Sequence, residues 1–290
     1  MSASIVLPLT VALTLALLAT TAHRCLPPQI AARALLITMV VVIAAAVPTV
    51  WLLAVGFVAH LPVLGGGLRW CADALGTHPQ VPVWAGLLAL VASTVGSARA
   101  IGVVRVNRRL RRDRPGPVEV VAHEGAFAYT LPGAGGRVVL SDTLVALLDR
   151  DEQAVVVAHE STHADHRHDR FLLVAHLGEA LLPLVRPLAN RLRFSLERWA
   201  DDEAARRCGN RPLVARTLAK VALHGHMPST VLGLAGLGVS ARVAALLAPP
   251  RRAPGAATLA CVGVAIGLTG ALALVQVHHL SGLIATLCPE

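Results

Sequence analysis

Charged residues are missing from four stretches of this chain, 4–22, 34–59, 81–98 and 253–277. Each is long enough as a helix to cross roughly 30 Å of hydrocarbon, so the pattern predicts four membrane-spanning helices. Between the third and the fourth the pattern changes. Residues 118–121, 126–130 and 137–140 are short apolar runs broken by turn formers, and they read as strands. Pro132-Gly133-Ala134-Gly135-Gly136 supplies the turn that joins the last two. Ser141 is placed to cap a helix over 143–148. Acidic residues over 149–152 then suit the first turn of a longer helix. Ala154, Val155, Val156, Val157 and Ala158 follow without a polar break, which predicts a buried helix.

Two further segments leave the pattern open. Residues 171–185 are apolar but short for a span, and contain His176, Glu179 and Pro183 between Arg170 and Arg186. They read as a re-entrant or interfacial helix, or as a core helix of the polar region. Residues 231–248 are weakly apolar around Arg242 and are expected to pack on a core or on the membrane surface.

Composition agrees with a membrane protein: 55% of residues are hydrophobic and 15% charged. The first apolar stretch lacks a basic leader and a cleavage-like flank, so it reads as a retained helix rather than a signal peptide. Seven arginines (99, 105, 108, 109, 111, 112 and 114) follow the third stretch against one aspartate, and Arg24 and Arg33 lie in the first loop. The second loop, 61–80, holds only Arg69 against Asp73. The positive-inside rule then puts the first and third loops in the cytoplasm and both termini outside. The arginine cluster suits anionic lipid better than nucleic acid, because no basic patch interleaved with aromatics accompanies it. Five cysteines (25, 71, 208, 261 and 288) have no C-x-x-C spacing. Cys71 and Cys288 share the outer side in this topology, and nothing in the sequence decides whether they pair.

The chemistry is concentrated in His159-Glu160-Ser161-Thr162-His163. Histidines four apart share one helix face, so two imidazoles reach one zinc ion, with Glu160 beside them to take a proton from water. That implies a metallopeptidase. A catalytic zinc takes three protein ligands and keeps one position open. Glu197 and Asp201 are again four apart on a helical stretch; Glu197 completes the ligand set and Asp201 orients a ligand by hydrogen bonding. The run from His163 to Asp169 adds His166 and His168. His166 reads as a helix end turning to solvent, while His168 stays open as a further ligand.

These residues carry a family resemblance. Gly125-Ala126-Phe127-Ala128-Tyr129-Thr130-Leu131-Pro132-Gly133, then Val138-Val139-Leu140-Ser141, the zinc helix, and Glu197-x-x-Ala200-Asp201 occur in that order. The chain resembles the membrane metallopeptidase family of the BlaR/MecR beta-lactam sensors. The resemblance implies an α-helical membrane protein with an inserted α+β gluzincin-type zinc peptidase domain. Its parts are three transmembrane helices and a basic cytoplasmic segment over 1–114, a cytoplasmic peptidase domain over 115–250, and a fourth helix with a short outer tail over 251–290. It implies one zinc on His159, His163 and Glu197, Glu160 as general base, and Asp201 behind the ligands. It further implies a protein substrate, a DNA-binding repressor among the sensors' targets, with no direct contact to nucleic acid. The outer penicillin-binding domain of the sensors and its Ser-x-x-Lys nucleophile have no counterpart here, so sensing by acylation is not expected. HtpX and CAAX-type membrane proteases share a similar strand-turn, zinc-helix and Glu-x-x-x-Asp pattern and are the runner-up. A non-enzymatic sensor or scaffold with structural zinc is the other class; it needs a fourth ligand and has no use for Glu160. A transporter needs polar groups inside the spans, and the four stretches have no charge. A homodimer is compatible with the sequence and is not indicated by it.

Overall fold

Pro28 opens the first long helix, α1 (Pro28–Ala59), where its missing N–H and fixed φ cost nothing. The computed structural model describes residues 16–17, 19–20, 26–59, 82–111, 118–133, 136–224 and 229–249, with a few single positions between 255 and 274. The predicted spans 4–22 and 253–277 therefore lie mostly outside the described residues, and Cys71 and Cys288 lie outside them altogether. The other two appear as α1 and α2 (Val83–Leu110), the helices long and apolar enough to cross a membrane among the described residues.

Both depart from the sequence boundaries. Helix α1 begins ahead of residue 34, and α2 runs on through its arginines to Leu110 rather than stopping at 98. Arginine is a good helix former, and Arg108 and Arg109 in the last turn suit the negative end of the helix dipole. Ala32, Leu35, Met39, Val42 and Ala46 of α1 are buried at alternating spacings of three and four, one seam along the helix. Ile37, Val40, Trp51 and Val55 on its other faces are exposed. Helix α2 buries only Gly86, Ala89 and Gly96, all small, and exposes Trp84, Leu88, Val91 and Ile101. A Cβ on Gly86 would run into the Phe57 ring of α1, so this glycine sets how closely the two helices approach.

Three strands follow: β1 (Glu119–Val121), β2 (Ala128–Leu131) and β3 (Arg137–Ser141). Their order is β1-β3-β2, with β1 parallel and β2 antiparallel to β3. Val138 to Ser141 of the central strand are all buried, whereas the outer strands β1 and β2 each keep one edge without a strand partner among the described residues. Gly136 takes φ +52 in the turn before β3, and a side chain there would meet Ala164. Ser141 caps α3 (Asp142–Leu147), its oxygen accepting from the Leu144 N–H at 3.1 Å. Asp149 and Glu152 form a reciprocal capping box at the start of α4 (Arg150–Asp165).

The expectation of an unbroken buried run in α4 is corrected: Val155 is buried, Ala154 is exposed and Val156 to Ala158 are half-buried. The helix has a sheet on one side and helices on another, so it is covered in a stripe. Glu152 at its start is buried, and besides the Asp149 N–H its carboxylate accepts a 2.7 Å bond from Lys220. That hydrogen bond holds its carboxyl below the ordinary value of 4.5, against burial. A depressed pKa stabilises the fold above the unfolded value and ceases to do so as pH falls through the folded one. Glu152→Gln is expected to lower stability by about 1–3 kcal/mol at neutral pH. Melting curves of both proteins should converge as pH drops below 4.5; a gap that persists in acid would assign the loss to packing instead.

Arg167, the only non-glycine residue with positive φ among the described residues (φ 53), turns the chain sharply into α5 (His168–Leu181). This is the open segment 171–185, and it is a packed helix. Gly178 lies against Met39 and Ile43 of α1, and the Leu181 carbonyl approaches Gly96 of α2. A 3-10 turn (Pro183–Val185) leads to α6 (Arg186–Cys208). Glu179, isolated in the sequence pattern, is matched by Arg193 of α6 in two bonds of 2.8 and 2.6 Å. Gly209 in the left-handed conformation ends α6, and α7 (Arg211–His224) and α8 (Ser229–Leu247) complete the described helices. Residues 231–248 thus fall mostly in α8, which reaches a core through Leu246.

Three apolar clusters result. One joins α1 and α5 to Leu188, Leu192, Leu196 and Trp199 of α6. A second joins Val155 of α4 to Ala204 and Ala205 of α6 and to α7 and α8. The third lies between the sheet and α3, with Val156 and Val157 of α4 against it. Helix α6 is common to the first two, and Glu197 lies on it between Leu196 and Trp199 of the first.

Candidate metal centre

Helices α4 and α6 cross so that the two sequence motifs face each other. His159 Nε2 and His163 Nε2 are 3.3 Å apart. Glu197 presents one carboxylate oxygen 3.5 Å from His159 Nε2 and the other 3.7 Å from His163 Nε2. Donors about 2.0–2.1 Å from a tetrahedral zinc are separated by roughly 3.3 Å, so this triad fits the ion. The imidazoles are mostly covered, with side chains 16% and 14% exposed, while Glu197 is 40% exposed. The set is closed toward the core and open on one side.

Asp201, one turn beyond Glu197, reaches His159 Nδ1 at 3.2 Å. A proton on Nδ1 donates to that carboxylate and leaves Nε2 free for a metal. Burial alone would push His159 down, but Asp201 and Glu197 outweigh it and lift its pKa to about 10. Burial also acts to raise the two carboxyls. Arg242 opposes it first, with the histidines behind, and holds Asp201 below the usual range and Glu197 well below it. His163 goes the other way: burial lowers it, and the nearby carboxylates only partly compensate.

Arg242, which the sequence shows only as a charge inside a weakly apolar stretch, joins the site. It comes from α8, is buried, and pairs with both Asp201 oxygens at 2.7 Å. Its remaining nitrogen lies 2.9 Å from Glu197. Two buried or half-buried carboxylates therefore share one guanidinium, a planar fork suited to bidentate pairing. No local signal announces this, because Asp201 and Arg242 are 41 residues apart.

Glu160 is held by β2. The Thr130 hydroxyl lies 2.8 Å from both the Glu160 carboxylate and the Glu160 backbone carbonyl, and its single proton serves one of them at a time. An outer strand of the sheet thus touches the candidate base. The other two histidines of the run 163–169 are outside the donor set. His166 packs on the Trp199 ring, centroids 4.6 Å apart, instead of simply turning to solvent. His168 approaches the triad from behind, its Nδ1 2.9 Å from His163 Nδ1, so it is not a fourth donor. Burial, then the neighbouring histidines, push its pKa down to about 3. Asp169 is taken up by Arg111 at 2.6 Å and by Arg167.

Comparison with known proteins leads to the same chemistry. Residues 103–190 match the family described as Peptidase family M48. That match includes α4 and ends ahead of Glu197. The chain is 31% identical over 115 residues to a protein named Protease HtpX homolog 2 from Saccharolobus solfataricus, covering 40% of this chain and 32% of that one. It is 38% identical over 79 residues to a Protease HtpX homolog from Aeropyrum pernix, covering 26% and 25%. A Protease HtpX homolog from Thermoplasma volcanium is 34% identical over 77 residues. The chain thus spans a quarter to a third of the length of the curated relatives it matches. Those relatives carry the name of the runner-up resemblance rather than that of the beta-lactam sensors.

Proposed function

We propose that this chain is a membrane-associated zinc endopeptidase of the HtpX kind, cutting cytoplasmic or membrane-proximal segments of proteins. The observation that carries the reading is the triad of His159, His163 and Glu197 at zinc-donor spacing, with Glu160 next to it. Zinc, when bound there, supplies a Lewis acid that polarises a carbonyl and acidifies water. Glu160 accepts a proton from the attacking water and returns it to the leaving amine. Thr130 keeps the Glu160 carboxylate from swinging away. The free edge of β2 offers main-chain hydrogen bonds to an extended substrate, bringing its scissile bond beside Glu160. Three donors and a solvent-facing side favour an open site over a structural one.

The arrangement of the helices supports a cytoplasmic site. Arg111 at the end of α2 pairs with Asp169, next to His168, so the arginine-rich end lies on the side of the metal centre. Arg33 near the start of α1 stacks over Trp199 at 5.3 Å, on the same side. Positive residues at that end suit the cytoplasmic face. The HtpX relatives favour a general protease over the repressor-cleaving role that the sensor resemblance implies, so an unfolded polypeptide is the first probe. Protein purified in detergent should hold one zinc per chain and cleave such a probe. A chelator should abolish cleavage and added zinc should restore it. Cleavage indifferent to chelation would overturn the reading.

A further inference from the structure

We propose that His168 is a positioning residue that fixes the tautomer and ring angle of His163 by accepting a hydrogen bond at its Nδ1; the inference rests on zinc binding at the triad. His163 turns Nε2 toward His159 Nε2 and Glu197, so a metal takes that nitrogen. Neutral imidazole has one proton, and with Nε2 bare it sits on Nδ1. The atom facing His163 Nδ1, at 2.9 Å, is His168 Nδ1. One of these two nitrogens donates and the other accepts. If His168 donated, the His163 proton would move to Nε2 and block the metal. The zinc-competent arrangement therefore requires an accepting Nδ1 on His168 and puts the His168 proton on Nε2.

A second observation agrees with a dedicated role. His168 is 1% exposed, and its Nε2 is buried without a hydrogen-bond partner among the described residues. A buried orphan of this kind works against folding and is rare. An apolar side chain would avoid it, so the ring is held for what its other nitrogen does. The chain also strains to place it: Arg167, immediately before, is in the left-handed region. The ring is then held by Trp199 at 4.8 Å and by Phe171 at 5.9 Å. Trp199 is two residues from Glu197 on α6, so the same helix sets the third donor and the ring behind the second.

The two ligand histidines are thus supported differently, His159 by the Asp201 carboxylate and His163 by a neutral imidazole. Glu160, Glu197 and Asp201 already put three carboxylates around the site with Arg242 as the buried cation. A neutral partner orients His163 without adding a fourth.

Zinc affinity of the full chain in detergent, measured by competition with a chromogenic chelator, tests this. His168→Leu, similar in bulk and without an acceptor, should bind zinc roughly 10–100-fold more weakly. His168→Asn, whose Oδ1 can take the place of Nδ1, should stay close to wild type. In zinc-loaded wild type, nitrogen-15 spectra of the labelled histidines should show the His168 proton on Nε2. Unchanged affinity in His168→Leu, or a His168 proton on Nδ1, overturns the inference while leaving the peptidase reading intact. Wild type that fails to bind zinc removes both. Should His168→Leu not fold, the asparagine variant and the wild-type spectra still decide.

Discussion

Glu160→Gln is expected to remove proteolysis while leaving zinc in place. Glutamine has the same length and still accepts the Thr130 hydrogen bond through its amide oxygen, so the packing of β2 against α4 is kept. What it loses is the ability to take a proton from water. General-base catalysis contributes about 10²–10⁴-fold, and the cleavage rate should fall by that amount. The metal donors are untouched, so bound zinc should match wild type. Both quantities need measuring on the same preparation. Cleavage within a few-fold of wild type would take the base role from Glu160, whereas loss of zinc together with activity would make it a structural neighbour.

Arg242→Met should cost the fold more than a typical core substitution. It leaves the side chain's stem in place and withdraws the charge that Asp201 and Glu197 share. Removing one partner from a buried ion pair costs about 3–5 kcal/mol, because the remaining charge stays buried. For a chain of this size that is a fall of roughly 6–20 °C in Tm of the metal-free protein. Zinc should restore part of it, since the ion supplies positive charge at Glu197, one of the two carboxylates, and binds only the folded state. The zinc-induced rise in Tm is therefore expected to be larger in the variant than in wild type. A metal-free Tm unchanged by the substitution would mean that water reaches the pair freely.

These two residues differ in how they could be read from the chain. Glu160 is legible because its partners are one helical turn away, and the same holds for Glu197 with Asp201 and for the Asp149–Glu152 cap. Arg242 and Thr130 are not, since each acts on a residue brought near only by folding. The helical segment around Glu179 looked anomalous because its counter-ion, Arg193, lies on the next helix. The buried seam of α1 is hidden for another reason. From residue 34 on, only Thr38 and Thr49 interrupt the apolar run, so the spacing of Leu35, Met39 and Val42 has almost no polar contrast to mark it. Charge misled at α2, where arginines seemed to end a helix that they continue.

Helix α6 has its first half seated among α1 and α5, and its second among the helices behind the metal centre. An α-helix is stiff along its axis, and Leu188 is nine residues, about 13 Å, from Glu197. No loop intervenes to absorb a displacement over that distance. The molecule thus contains a beam with one end anchored against the most apolar of the described helices and a candidate metal donor fixed partway along. A push or tilt applied to α1 reaches the carboxylate directly, as load on a rafter reaches the wall it rests on.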